Sequence, residues 1–322
     1  MMIFDRAVPT SKPSMAPVTG RQGGAALIMA LLVAALATVL ATDQIWRQSL
    51  WINQLELQRD LAQTRLIAQA GIEWSRSVLA YDARTSNVDH AGEAWALRVP
   101  ASRIEGAEIS GAMVDEQGKW NLNNLLASNG AIVIREIVIF RRLLAQLQLP
   151  PALAATLGDW LDADSDTSPD GAEDAYYLGL PKPYRSANRA LSDIDGLLKV
   201  RGFDASVVLR LRPYIIVLPG YHRVNVNTSD AILIAVMIPE LSATEASAIV
   251  AQRDKIAFRD VADFRARLPR QGINANPEQL DTRSNYFSVR VNAQYGRARV
   301  ATEALLERGG VQWPNIVWQK FQ

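Results

Sequence analysis

The chain of 322 residues contains no cysteine. That absence removes disulfides, thiolate metal sites and a cysteine nucleophile together. It leaves the compartment open, because an extracytoplasmic protein can do without disulfides. Histidine is almost as scarce: His90 and His222 both fall in loop-like text, where a satisfied or exposed side chain is the ordinary reading. No Gly-x-Ser-x-Gly elbow occurs, and Gly118-Lys119-Trp120 lacks the upstream glycine and the Ser/Thr of a phosphate loop. A paired-carboxylate glycosidase stays formally open, although the acids here are bunched rather than isolated. No enzyme is expected. Charge imbalance is missing too: 34 basic against 33 acidic residues leave +1, which argues against a protein that holds nucleic acid by neutralising phosphates.

What the chain has is one long apolar run. From Ala25 to Thr42 there is no charge, proline or glycine, and about 18 helical residues rise about 27 Å, close to one hydrocarbon core. Arg6, Lys12 and Arg21 precede it against Asp5, which favours a cytoplasmic N-terminus with everything after Asp43 outside. Three readings fit this stretch. One is a secretory signal cut near Ala35-Leu36-Ala37, and another an uncleaved anchor. The third starts from Gly23-Gly24, where charge ends and the apolar run begins; cleavage after Gly24 would leave the helix on the mature chain, beginning at Ala25.

Beyond Asp43, Leu50, Trp51, Leu55, Leu61, Leu66, Ile67, Ala70, Trp74 and Leu79 recur at helical spacing, so one helix is expected to run to about Ala80. Tyr81–Pro100 reads as loop. Ala107–Asp115, a turn, and Lys119–Leu125 suggest a β-hairpin. Helices are expected at Ile132–Leu149, Pro151–Leu161, Leu191–Val200, Ala205–Leu211, Ser229–Met237, Thr244–Arg253 and Val261–Leu268. Tyr286–Ala293 and Ala298–Leu306 flank Gly296 as a second hairpin, and Trp313 and Trp318 are expected to pack or make contacts. The order helix, strands, helices, strands points to an α+β fold with helices inserted in a sheet connection.

The densest constellation is acidic: Asp162, Asp164, Asp166, Asp170, Glu173 and Asp174 with no base among them. Such a run repels itself unless it is disordered, paired with outside bases such as Lys182, Arg185 and Arg189, or folded around a hard cation. With Asp162 as position 1, carboxylates stand at 1, 3, 5, 9 and 12, as in an EF-hand loop, yet position 6 is Thr167 instead of glycine and Pro169 follows. A calcium-type oxygen cage fits better than a true EF-hand. A second constellation, Val224-Asn225-Val226-Asn227-Thr228 with the helices after it, resembles a helix-hairpin-helix unit. Its hairpin, Pro239-Glu240-Leu241, lacks the glycine that lets backbone N–H groups reach a phosphate. It reads as packing, and Ser192–Leu198 with Arg201-Gly202-Phe203 looks like a weaker copy.

Taken in order, the Gly24 junction, Trp120-Asn121-Leu122-Asn123-Asn124-Leu125, Asp159-Trp160-Leu161-Asp162-Ala163-Asp164, Asp170-Gly171-Ala172-Glu173-Asp174 with Tyr176-Tyr177, and Val224–Thr228 resemble the K-type minor pseudopilin of bacterial type II secretion systems. The resemblance covers nearly the whole chain. It implies a pilin-like long N-terminal helix on a small antiparallel sheet, with a large all-α insertion of two SAM-like units and a calcium-binding loop. The implied division is a leader at 1–24, a membrane span at 25–42, a pilin-like first part at 43–128, the insertion at 129–282, a C-terminal hairpin at 283–308 and a tail at 309–322. It further implies removal of the leader by prepilin peptidase, N-methylation of Ala25, and residence in the inner membrane with the globular part periplasmic. A place at the pseudopilus tip beside the I- and J-type minor pseudopilins follows from the same likeness. The fifth mature position would be Met29 in place of the usual glutamate, which avoids burying a carboxylate with no amine to neutralise. A membrane-anchored periplasmic adaptor outside any fibre is the alternative.

Overall fold

The computed structural model describes residues 23–309 and 313–322. Positions 1–22 of the expected leader and 310–312 of the expected tail lie outside the described residues. The chain divides into one unit ending at Arg59 and another from Asp60 to Gln322.

Helix α1 (Gly23–Thr85) begins at the glycine pair. In the first unit every large apolar side chain from Leu27 to Leu57 is exposed, and the apolar window is long enough to cross a membrane by length and composition. The hydroxyls of Thr38 and Thr42 donate back to the carbonyls of Ala34 and Thr38, each at 2.8 Å, so neither polar group is left unpaired in hydrocarbon.

In the second unit, β1 (Val99–Ile104) and β2 (Ala107–Asp115) follow α1. The helical block then runs through β3 (Trp120–Asn121), α2 (Ile134–Gln146), α3 (Ala152–Leu161), α4 (Asp174–Leu178), α5 (Ala205–Leu211), β4 (Ile215–Ile216), β5 (Val224–Asn225), α6 (Ala231–Met237), α7 (Ala243–Arg253), α8 (Val261–Ala266) and β6 (Leu280–Asp281). The chain returns as β7 (Tyr286–Tyr295), β8 (Ala298–Glu307) and β9 (Asn315–Phe321). The main sheet is antiparallel in the order β1-β2-β7-β8-β9.

Alternation puts Phe287, Val289 and Val291 of β7 on the face that meets α1, where Ile72 and Leu79 pack on them. Helix and sheet approach closely because residue 71 is glycine: a Cβ there would stand 2.8 Å from Val291 Cγ1. On the β1–β2 side, α1 leaves an apolar groove of about 470 Å³ lined by Ile67, Trp74, Val99, Ile104, Ile109 and Met113. The larger core belongs to the helical block, around Trp120, Phe140, Leu157, Tyr177, Phe258 and Phe264. The expected α+β architecture, with a long N-terminal helix, a small antiparallel sheet and additional helices, is the one observed.

Four expectations need correction. The first hairpin does not form. Asp115 Oδ1 accepts the Gln117 N–H at 2.8 Å in a short 3-10 turn, and Trp120 leaves the sheet to pair in parallel with Ile215. Trp120 is fully buried against Phe140, rings 5.6 Å apart, with Nε1–H donating to Glu136 at 3.1 Å; pairing Lys119–Leu125 with β2 would forfeit that burial. β1 starts in the last two residues of the text read as loop, Val99 and Pro100, and runs on to Ile104 through a stretch with no expected element, and Asn315–Phe321 of the expected tail is a fifth strand. The expected all-α insertion also carries strands: β5 pairs with β6 in parallel inside it, and its β4 pairs in parallel with β3, which precedes it.

Candidate metal centre

Helix α3 delivers the acidic loop. Asp162 is its C-cap in an extended conformation, and Glu173 is the N-cap of α4, so two helix ends fix the loop's ends. Carboxylate oxygens of Asp162, Asp164 and Glu173 all lie within 4.8 Å of one another. The other three sequence candidates stand apart from that group. Asp166 and Asp170 are exposed, and the Asp166 N–H donates to Asp164 Oδ1 at 2.8 Å. Asp174 accepts the Ser186 N–H and hydroxyl, both at 2.9 Å, and pairs with Arg185 at 3.3 Å. Among the described residues no ion pair joins a base to Asp162, Asp164 or Glu173, and Lys182 and Arg189 are exposed.

Whether these residues suit a cation can be tested on their unmet valences. Asp162 Oδ1 and Glu173 Oε1 are buried without a hydrogen-bond partner, and so is the side-chain oxygen of Asn188. Asn188 sits beside the loop: its amide donates to the Asp164 carbonyl at 2.8 Å and its backbone N–H to Trp160 at 3.0 Å. Leaving such oxygens buried and unpaired is unfavourable by about 1–3 kcal/mol each, more for a charge. Burial, with Asp164, Asp159 and Glu173 beside it, pushes the Asp162 carboxyl up to about 7, and burial also raises Glu173. Carboxylates and an amide oxygen, with no nitrogen or sulfur donor, form the set a hard divalent cation takes. The residues fit calcium.

Two neighbours of the cluster are not among the six sequence candidates. Asn188 was hidden in a segment read only for its bases; a left-handed backbone at φ +44, which asparagine tolerates, is its one distinguishing mark. Asp159, buried on α3, accepts the Ser168 N–H at 3.1 Å. It also backs Gly171, where any Cβ would collide with the Asp159 carboxylate.

The remaining motifs hold the block together. Asn123 donates to the carbonyls of Leu191 (3.0 Å) and Leu218 (2.8 Å) and accepts the Leu191 N–H (2.9 Å). Asn121 accepts the Leu218 N–H at 2.9 Å, and Asn124 accepts that of His222 at 2.9 Å. Asn227 clamps Phe258 in both directions, at 2.9 and 2.8 Å. Arg253, at the end of the helix-hairpin-helix unit, turns inward to the carbonyls of Val226 and Ser229, so its charge serves packing. Asn225 reaches across to the sheet, donating to Asp115 Oδ2 (2.9 Å), Ser284 Oγ (3.0 Å) and the Asp89 carbonyl (3.0 Å). Asn123→Ala would strand the Leu191 N–H and carbonyl, while Leu218 keeps Asn121, and is expected to lose about 2 kcal/mol of stability, read as a lower urea midpoint at unchanged slope.

Comparison with known proteins supplies the rest. Residues 118–220 and 224–283 match two family models, both described as type II secretion system (T2SS), protein K. The chain is similar to the type II secretion system protein K of Pseudomonas aeruginosa, 32% identical over 300 residues and 89% of each chain. It is 31% identical over 321 residues to that of Pectobacterium carotovorum subsp. carotovorum, covering 94% of this chain and 97% of the relative. Its fold is similar to a chain in the crystal structure of the GspK-GspI-GspJ complex from the enterotoxigenic Escherichia coli type 2 secretion system. There the TM-score is 0.72 at 22% identity, over 84% of this chain and 99% of that one.

Proposed function

Because the chain belongs to the type II secretion system protein K family, we propose that it is a minor pseudopilin at the tip of the secretion pseudopilus. There it would cap the fibre and initiate its assembly for export of folded proteins across the outer membrane. The observation that carries this reading is α1: a single helix starting at Gly23, apolar and uncovered in its first unit, amphipathic and packed on the sheet in its second. Prepilin peptidase would cut between Gly24 and Ala25 and methylate Ala25, leaving the helix in the inner membrane and the body in the periplasm. Its partners would be the I- and J-type minor pseudopilins, the pairing that the similar enterotoxigenic Escherichia coli structure is named for. The test is the mass and N-terminal sequence of the mature protein: a start at N-methylated Ala25 supports the reading, and a start after Ala37 removes it.

Calcium would be structural, held by Asp162, Asp164 and Glu173 with the Asn188 oxygen, and with Asp166, Asp170 and Asp174 in the surrounding loop. Bound at a hundredfold excess over Kd, it would add about 2.7 kcal/mol. The expected result is a melting temperature that rises in millimolar calcium, falls with chelator, and responds to neither in the Asp162→Asn/Glu173→Gln double variant. A wild-type protein indifferent to both would exclude a structural ion.

A further inference from the structure

The two edges of the main sheet are built differently. On β1, Pro100 interrupts the strand, the register slips between Val99 and Ser102, and Arg103 projects with its side chain 86% exposed. These are the devices that stop an edge from pairing with another chain. β9 shares the register slip, which leaves Val317 out of the pairing with β8, and one exposed charge, and differs in its apolar side chains and uninterrupted interior. Its interior holds no proline, its one charge is Lys320, and Val317, Trp318 and Phe321 are exposed beside Trp313. A charge-poor edge strand bearing large apolar side chains is a ready template for strand addition.

The ladder says which groups face outward. Ala301 and Gln322 exchange both backbone bonds, at 2.8 and 3.3 Å. By antiparallel alternation, Phe321, opposite Thr302, and Gln319, opposite Ala304, then turn their N–H and C=O groups away from β8. The strand is firmly seated behind: Arg76 donates to the Pro314 carbonyl at 2.7 Å and Gln319 to Gln69 at 2.9 Å. Lys320 lies over the Trp318 ring at 5.1 Å. Its cross-strand neighbour Glu303 pairs instead with Arg290 at 3.6 Å, and no described carboxylate pairs with Lys320.

We propose that the outer edge of β9 receives an extended strand from a different subunit of the assembly, carrying a carboxylate opposite Lys320. A second copy of this chain is disfavoured, since residues 313–322 contain no acid to offer Lys320. The inference rests on the assembly reading for the existence of neighbouring subunits and on β9 for the place where one docks.

A photo-crosslinking side chain placed at Val317, and separately at Trp51 of α1, in the full chain within the bacterial envelope tests it. The Val317 probe should join an acidic, extended segment of another pilin-like subunit. Gln319→Pro removes an outward N–H without breaking the β8–β9 ladder and should cut that adduct at least tenfold, as should Lys320→Glu. Gln319→Ala, which keeps the N–H, should retain it. Adducts from Trp51 with none from Val317, an adduct between two copies of this chain, or indifference to Gln319→Pro would overturn the edge alone. No adduct from either probe would overturn the assembly reading and the edge with it.

Discussion

Arg308→Met is expected to lose about 3–5 kcal/mol of stability at pH 8, the range for removing one partner of a buried ionic group. Arg308 is buried at the end of β8. It donates to Asp82 at 2.7 Å, to Asp89 at 2.6 Å and to the Ser284 carbonyl at 2.7 Å, over the Phe287 ring. Burial already pushes Asp82 up to about 6 and raises Asp89, and Arg308 opposes both shifts. Without the cation, two carboxylates face each other out of water. The sign of the pH dependence follows. A carboxyl whose folded pKa lies above its unfolded value stabilises the fold when protonated and loses that contribution as pH rises through the folded pKa. The variant should therefore be least impaired near pH 5 and most impaired at pH 8. Adding Asp82→Asn and Asp89→Asn to Arg308→Met should recover most of the loss, because a whole ionic group is replaceable where half of one is not. Urea unfolding of the detergent-solubilised chain at the two pH values decides it: equal deficits at both, or no recovery in the triple variant, would show that Arg308 acts through packing alone.

The second large effect is expected at Gly171. A valine there would drive into the buried Asp159 carboxylate and displace the turn that carries Asp170 toward Glu173. Overpacking of this kind is unfavourable by about 1–3 kcal/mol, and the displaced carboxylate adds to it. Arg201 holds the Gly171 carbonyl at 3.0 Å and lies over the Tyr176 ring at 4.8 Å, so the loop has little freedom to relax. Gly171→Val should lower the melting temperature and abolish the calcium increment together. A variant that melts early yet keeps the full increment would detach the loop's geometry from its ion.

The legible parts of this fold are those with one wet and one dry face. The second part of α1, β7, β8 and α2 announce themselves because burial on one side imposes a period, and the first part of α1 by its unbroken apolar run. β1 and β9 were missed for the converse reason. Their side chains are exposed or at most half-buried on both faces, and no alternation survives to be read. At the candidate metal centre the acids were visible as a cluster, but spacing named six of them where folding gathers Asp162, Asp164 and Glu173. Asn188 was not legible because it is distant along the chain and chemically unremarkable. The asparagines of the Trp120–Leu125 and Val224–Thr228 motifs were visible as motifs while their work was not. They clamp main-chain groups of Leu191, Leu218, His222 and Phe258, and a backbone partner leaves no mark in the partner's own sequence.

Asp115 closes β2 and Ser284 stands just ahead of β7, 169 positions later, yet their side chains are 2.7 Å apart. β2 and β7 pair in unbroken register up to Asp115 and Phe287. Topologically, the helical block is an outgrowth from the tip of a β-ribbon. A gene carrying a short turn in its place would still encode a closed ribbon, so a lineage could gain or shed the block in one recombination event without redrawing the sheet. During synthesis the same arrangement keeps β2 waiting until the whole excursion has emerged, which makes its union with β7 a late step in maturation.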